Sequence, residues 1–178
     1  TEKLRDLQGK AALDSLMRGV LAARDALERP IPVFLKIAPD LSAAELDDIA
    51  TLALDLKLDA VITTNTTLDR DGLRSPAKGE AGGLSGKPLF EKSTRVLAEM
   101  HARLGDRVPL IGVGGISSAE DALTKIKAGA TAVQLYTALS YQGLGLVPRI
   151  LKGLSQAVAE AGVADISALR GTDTARWT

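Results

Sequence analysis

The chain alternates short apolar runs with longer segments in which apolar residues recur at helical spacing. Four runs are rich in β-branched residues and too uniformly apolar for exposed antiparallel strands, which predicts buried parallel strands. These runs are Pro32–Pro39, Asp59–Thr66, Pro109–Ile116 and Thr131–Leu139. The helical period predicts helices at Gly9–Glu28, Ser42–Lys57, Pro88–Leu104, Ser118–Ala128 and Leu146–Ala161. After the first helix, strand and helix therefore follow each other along the whole chain.

Hydroxyl residues mark the starts of two predicted helices. Ser42 has Glu45 three residues on, the spacing of a capping box, and Ser117 or Ser118 stands before an acidic first turn. After Ala164 the helical signal is weak. We therefore expect one folded unit at 1–164 and a C-terminal tail at 165–178 that frays.

Strand–helix alternation fits either an open doubly wound sheet or a (β/α)8 barrel. The barrel is favoured because no G-x-G-x-x-G follows the first strand and because unusual polar or small residues stand at the carboxyl ends of all four strands. They are Lys36, Thr64, Asn65, Gly114, Gly115, Tyr136 and Thr137. A whole barrel needs eight strand–helix units and about 250 residues. The sequence therefore predicts about the C-terminal half of a (β/α)8 barrel, a fragment with open sheet edges.

Charge and composition narrow the function classes. The 22 basic residues balance 22 acidic ones, which argues against a nucleic-acid partner and against a basic membrane surface. No stretch approaches the roughly 18 apolar residues of a spanning helix. With no cysteine and only His101 as histidine, a thiolate nucleophile is excluded and a metal site is not expected.

The ends of the last two strands predict a phosphate site. Gly114 and Gly115 let the backbone approach a ligand closely, and Tyr136 and Thr137 offer an amide and a hydroxyl. Helix N-termini follow both strands, and (β/α)8 enzymes frequently bind phosphate after their last two strands. The alternative is that the glycines only permit a tight turn. The paired strand ends favour phosphate.

The ends of the first two strands carry polar side chains. Lys36 alternates with apolar neighbours, so it faces the barrel interior, where an anionic ligand or a carboxylate is expected beside it. A lysine whose head escapes to water at the strand end is the alternative. Asn65, with Thr64 and Thr66 beside it, suits a planar ligand with carbonyl and N–H groups, although a turn asparagine fits equally well in isolation.

The interval Thr67–Lys87 is the one long stretch without either period. Such loops are usually functional, so it is interpreted as a lid over the strand ends, with a small hairpin. A flexible glycine-rich linker is the alternative.

In order and spacing, the segments "LRDLQGK", "FLKIAPDLS", "ITTNTTLDR", "GGLSGKPL", "PLIGVGGI" and "AVQLYTAL" resemble the C-terminal half of a class 2 dihydroorotate dehydrogenase. The resemblance covers nearly the whole chain, and "KIAPDLS" followed by "TNTT" and "GGLSGKP" is highly specific. It implies a barrel that binds FMN, oxidises dihydroorotate to orotate in pyrimidine biosynthesis and passes the electrons to a quinone. It further implies peripheral attachment at the cytoplasmic side of the inner membrane.

The resemblance also assigns roles to residues. Lys36 would lie near the pyrimidine edge of the flavin, where its charge stabilises the anionic reduced ring. Asn65 and Thr66 would hydrogen-bond the orotate ring. The cofactor-binding set would be Lys36, Thr64, Ser85, Gly86, Gly114, Gly115, Tyr136 and Thr137, with the phosphate held at the last two positions.

The resemblance places the catalytic base outside this chain. In class 2 members the base is a serine in an "SSPNT"-like loop, and Thr1 resembles the last residue of that loop. The serine, the first four strands and the N-terminal segment that meets membrane and quinone are therefore expected before Thr1. The chain alone is expected to be inactive and to need that missing half. Two alternatives stay open: another phosphate-binding barrel enzyme, either a sugar-phosphate isomerase or a different flavin oxidoreductase, and a non-catalytic half-barrel module.

Overall fold

A computed structural model describes residues 9–178. The elements in chain order are α1 (Lys10–Asp25), β1 (Phe34–Ile37), α2 (Ala43–Asp55), β2 (Ala60–Thr63), α3 (Phe90–Leu104), β3 (Leu110–Val113), α4 (Ala119–Lys127), β4 (Ala132–Gln134), α5 (Thr137–Gln142) and α6 (Leu146–Ala161). Short 3-10 turns occupy Pro76–Gly79, Lys87–Leu89, Ile166–Leu169 and Thr174–Arg176. Thr1 and the interpretation based on it lie outside the described residues, as does most of "LRDLQGK".

The four strands form one parallel sheet in the order β1-β2-β3-β4. Lys36 pairs with Ile62, Ile62 with Ile111, and Ile111 with Ala132. Strands that follow each other in the chain are thus neighbours in the sheet, with a helix in each connection. A doubly wound sheet reverses its strand order at one point, whereas this sheet does not. The order confirms the predicted strand–helix units of a (β/α)8 barrel.

The main hydrophobic core lies between the sheet and helices α1, α2 and α3. Its most buried members, at most 1% exposed, include Ile37, Leu46, Val61, Leu97 and Leu110. Removing these side chains from water is the principal driving force for packing the helices on the sheet. A smaller cluster lies at α4 and α6 and comprises Ile116, Ala122, Leu146 and Ile150.

The predicted helix starts are confirmed in atomic detail. Ser42 Oγ accepts the Glu45 N–H at 3.4 Å, and the Glu45 carboxylate accepts the Ser42 N–H at 2.7 Å, which completes the capping box. At α4 the cap is Ser118, whose Oγ accepts the Asp121 N–H at 3.2 Å. Ser117 instead donates its hydroxyl to the Asp121 carboxylate at 2.8 Å.

The prediction of one long strand at Thr131–Leu139 is wrong in its second half. β4 ends at Gln134, and the short helix α5 begins at Thr137. Thr137 therefore starts a helix and does not end a strand. The error has a simple cause, because a short apolar run fits a buried strand and a buried helix equally well. The other three strands are confirmed, with shorter bounds than predicted.

The expectation of a fraying tail is also wrong. The Gly171 N–H donates to the Ile126 carbonyl at 3.1 Å, and the Asp173 N–H donates to the Lys127 carbonyl at 2.9 Å. Trp177 packs against the main core. These contacts hold the tail against α4 and the main core. The prediction failed because the weak helical pattern of the tail carries no information about tertiary packing.

The sheet has two open edges within residues 9–178. β1 pairs only with β2, and β4 pairs only with β3. Phe34 on β1 is accordingly 47% exposed despite its size. None of the helices described in this structure is long and apolar enough to cross a bilayer.

Candidate active site

A cavity of about 630 Å³ lies at the carboxyl ends of the four strands. All of the site residues predicted from the sequence line it, namely Lys36, Thr64, Asn65, Thr66, Ser85, Gly86, Gly114, Gly115, Tyr136 and Thr137. They come from five separate segments, four of which lie at the ends of strands that the parallel order places side by side, and the fifth is the end of the loop after β2. The volume lies within the range typical of cofactor and small-molecule sites.

Lys36 reaches the cavity from β1. It points away from Ile37, which is fully buried in the main core, as the two-residue period of a strand requires. The side chain is exposed along the cavity. Among residues 9–178 it makes no ion pair, so no carboxylate of the described chain serves as the expected partner.

The end of β2 is fixed by backbone hydrogen bonds to both neighbouring strands. The Asn65 N–H donates to the Ile37 carbonyl at 2.7 Å, and the Thr64 N–H donates to the Val113 carbonyl at 3.2 Å. Thr64 is only 1% exposed and donates its hydroxyl to the Asn65 carbonyl at 2.8 Å. Asn65 is exposed, and its Oδ1 accepts the Thr66 N–H at 3.0 Å. The hydrogen bond at Oδ1 and the fixed backbone therefore set the orientation of the Asn65 side chain, whose N–H groups stay available to a ligand.

The loop after β2 meets the start of α5 at Ser85 and Thr137. The Thr137 hydroxyl donates to Ser85 Oγ at 3.0 Å. A Cβ at Gly86 would lie 3.2 Å from Thr137 Cγ2, and Gly86 has φ 78°. Close approach and left-handed backbone both favour glycine there. Tyr136, beside Thr137, is 83% exposed and also lines the cavity.

The turn after β3 packs against the start of α3 without room for side chains. A Cβ at Gly114 would lie 2.5 Å from Ser93 Oγ, and one at Gly115 would lie 2.8 Å from Phe90 Cα. Both glycines also have positive φ, 120° and 72°. Their backbone therefore faces the cavity on one side and helix α3 on the other. Such exposed backbone suits close contact with an anion.

The cavity is electropositive. Of the charged residues that line it in the described chain, both are lysines, Lys36 and Lys87, and none is a carboxylate. Lys87 Nζ lies 3.3 Å from Asp121 Oδ1, outside the lining, and 5.4 Å from the centroid of the Phe90 ring. The excess of positive charge along the cavity wall suits an anionic ligand.

The loop at 67–86 is folded onto the rim of the cavity. An antiparallel bridge joins Thr67 to Leu84, which agrees with the expected small hairpin. The Arg70 guanidinium donates to the carbonyls of Thr67, at 3.2 Å, and Gly82, at 2.5 Å. These contacts contradict the alternative of a flexible linker. Movement of this loop as a lid stays a prediction.

Asp40 anchors this loop to the body of the molecule. Its carboxylate accepts the Thr67 hydroxyl, the Leu68 N–H at 3.1 Å and the Lys92 ammonium at 3.1 Å. Partial burial opposes ionisation, but these hydrogen bonds outweigh it and lower the pKa of Asp40. The carboxylate is therefore ionised at neutral pH and holds the loop at the Thr67 end.

Comparison with known proteins identifies the family. The family model for dihydroorotate dehydrogenase matches residues 1–158. The chain belongs to the dihydroorotate dehydrogenase family. It is 55% identical over 177 residues to the dihydroorotate dehydrogenase (quinone) of Cereibacter sphaeroides and 57% identical over 184 residues to that of Brucella ovis. Each match covers 99% of this chain and 50% of the relative, so the chain spans about half the length of these relatives.

Solved structures of the dihydroorotate dehydrogenase family agree with the fold. The ligand-free DHODH of Eimeria tenella superposes with a TM-score of 0.90 at 37% identity, over 96% of this chain and 52% of that one. The DHODH of Eimeria tenella in complex with ferulenol gives a TM-score of 0.91 at 34% identity, over 97% and 51% of the two chains. The four strand–helix units are therefore about half of a (β/α)8 barrel of this family.

Several residues that line the cavity were missed by sequence reasoning. They include Lys87, Ser117, Leu135, Tyr141 and Gln142. Lys87 stands in the quoted segment "GGLSGKPL" directly after Gly86, but no role was assigned to it. Tyr141 and Gln142 belong to α5, which the strand prediction concealed. Residues 9–178 contain no cluster of three or more His, Cys, Asp or Glu side chains that could hold a metal ion.

Proposed function

We propose that this chain forms the C-terminal half of the flavin site in a quinone-dependent dihydroorotate dehydrogenase. The observation that carries the proposal is the convergence of every residue assigned by the family resemblance on one electropositive cavity. The relatives' printed names supply the reaction class and the quinone acceptor. Because the chain spans half their length, the activity belongs to a longer protein.

The residues that line the cavity fit FMN. Gly86, Gly114 and Gly115 all have positive φ, and a side chain at either of the last two would collide with α3. Together with the Thr137 hydroxyl they form a concave wall of backbone and small polar groups, suited to a phosphate. Lys36 lies at the other end of the same cavity. When bound, FMN would accept a hydride from dihydroorotate.

The ends of β1 and β2 would serve the reacting rings. Lys36 would place a positive charge where negative charge grows during flavin reduction, which is effective because that end of the site would be closed from water. Asn65 would donate its side-chain N–H groups to oxygen atoms of a planar orotate ring, and Thr66 would add a hydroxyl. Thr64, nearly inaccessible to water, would hold the adjoining backbone against the flavin.

The remaining parts of the reaction are assigned to the half of the relatives that this chain does not span. That half would contribute the serine base, the first four strands, and the segment that meets quinone at the cytoplasmic side of the inner membrane. The open edges of β1 and β4 are where those strands would pair. Within this proposal the missing half is a required partner.

The test uses the full-length protein that contains this sequence. It should show the absorption bands of a bound flavin, lose them on anaerobic addition of dihydroorotate, and recover them on addition of a soluble quinone. Residues 1–178 alone should not turn over dihydroorotate. A colourless protein that binds a sugar phosphate would contradict the proposal and favour a different phosphate-binding barrel. A flavin that dihydroorotate does not reduce would favour another flavin oxidoreductase.

A further inference from the structure

Beneath the turn after β3 lies a lysine that the proposed chemistry does not use. Lys125, on α4, has no exposed surface. Its Nζ lies 2.6 Å from Ser93 Oγ and 3.2 Å from the Phe90 carbonyl oxygen, and 4.8 Å from the centroid of the Phe90 ring. Within the described chain it makes no ion pair. Burial of an amine is costly, so the contacts that keep it there require an explanation.

The hydrogen bonds of Lys125 lead directly to the wall of the cavity. Ser93 Oγ lies 2.8 Å from the Leu89 carbonyl oxygen and 3.3 Å from the Gly114 carbonyl oxygen. Ser93 is fully buried, and Phe90 is the residue that leaves no space for a side chain at Gly115. The amine thus connects three segments: the start of α3, the glycine turn after β3, and α4 itself.

Two of these segments supply one end of the cavity, and α4 lies behind them. Leu89 and both glycines line it, while Lys125 lies behind them without reaching it. A methionine of similar length would fill the space but would donate no hydrogen bond to Ser93 or to the Phe90 carbonyl. The start of α3 would then be free to shift relative to the glycine turn, because buried acceptors left without a donor are destabilising.

We propose that Lys125 is a positioning residue that fixes the phosphate end of the flavin site by holding the start of α3 against the Gly114–Gly115 turn. The inference rests on the proposed function, since it requires the phosphate of FMN at that end. It predicts a selective effect. Loss of the Lys125 amine should weaken the binding of a ligand that carries the phosphate. It should not weaken the binding of a ligand with the same isoalloxazine and ribityl groups but no phosphate.

The experiment compares dissociation constants of FMN and riboflavin for the full-length protein and its variants. Lys125→Met should weaken FMN binding roughly tenfold or more, because buried acceptors of the supporting wall lose their donor, and should change riboflavin binding by less than about twofold. Ser93→Ala should act in the same direction. Because the two residues form one network, the double variant should bind FMN no more weakly than Lys125→Met.

Lys127→Met is the matched control, since it makes the same change on the same helix at a side chain that is partly exposed. It should leave both dissociation constants unchanged. If Lys125→Met does not fold, the FMN-to-riboflavin comparison in Ser93→Ala decides. Equal losses for FMN and riboflavin, or unchanged FMN affinity, would overturn the role of Lys125. Wild-type protein that does not prefer FMN to riboflavin would overturn the proposed phosphate site itself.

Discussion

The two halves of the cavity are built in different ways. At the ends of β1 and β2, polar side chains project into open space from a rigid backbone, as Lys36 and Asn65 do. At the ends of β3 and β4, backbone forms the wall, and it is supported from behind by the buried pair Lys125 and Ser93. A substitution in the first region should remove chemistry and leave the fold intact. A substitution in the second should disturb the packing of that wall and weaken phosphate binding as a consequence.

The largest effect is expected for Lys36→Ala in the full-length protein. Its charge should be needed only as negative charge develops on the flavin, so the rate of flavin reduction should fall on the order of 100-fold to 1,000-fold. The free energy of unfolding should change little, because the side chain is exposed and makes no ion pair within the described residues. Stopped-flow absorbance under anaerobic dihydroorotate measures the first quantity, and denaturant unfolding measures the second.

Lys78→Ala is the control for this prediction. Lys78 is an exposed lysine on the loop after β2 and does not line the cavity, so its loss should leave the reduction rate unchanged. If Lys36→Ala reduced its flavin as fast as the wild type does, Lys36 would not supply the positive charge that stabilises the reduced flavin. A large loss of stability would show that the two regions do not differ in the way proposed.

The second prediction concerns the backbone wall. Gly115→Ala should destabilise the protein by about 2 kcal/mol or more, because the new methyl group would meet Phe90 Cβ at 2.5 Å and the backbone at 2.8 Å. Gly162→Ala is the matched control. Its φ of 63° is similar, but a Cβ there meets nothing within 4 Å, so it should cost only about 1 kcal/mol. Equal losses in the two variants would mean that backbone conformation alone matters, and not the packing against α3.

Many of the residues that line the cavity could be predicted from the sequence because they interrupt the apolar pattern of the buried strands. Lys36 interrupts an apolar strand, Asn65 follows another, and Gly114 and Gly115 occur together where a helix should begin. Each is unusual for a buried parallel strand, and strand order then fixes which ends are neighbours. The capping residue Ser42 was found for the same reason, since its spacing to Glu45 has one main structural meaning.

The residues that support the cavity wall from behind do not interrupt any sequence pattern. Lys125 stands two residues from Lys127 in "LTKIKAG", and a lysine on an amphipathic helix is ordinarily solvated. Only the tertiary packing of α3 on α4 shows that one of the two is fully buried. α5 was concealed in the same way, because "LYTAL" fits either period until Thr137 is seen to begin a helix. Residues of this kind could not be predicted, because their role arises from contacts between segments that are distant in the sequence.

The smallest expected effect is a pH dependence that separates the two regions. Burial lowers the pKa of Lys125 to about 7, and the negative charge of Asp121 only partly opposes this. Asp121 in turn forms an ion pair with Lys87 at 3.3 Å. The unfolded chain keeps the ordinary lysine pKa of 10.5. Between these two values the unfolded state binds a proton that the folded state lacks.

Stability should therefore rise with pH from about 7 towards 10.5, because folding releases this proton and the release costs less free energy as the pH rises. For one proton the slope is at most about 1.4 kcal/mol per pH unit. Denaturant unfolding of the full-length protein at pH 7, 8 and 9 should show this slope in wild type and in Lys127→Met, and a flatter one in Lys125→Met. Equal slopes in all three proteins would mean that Lys125 keeps its proton when folded, and that the glycine wall is supported by an ammonium group.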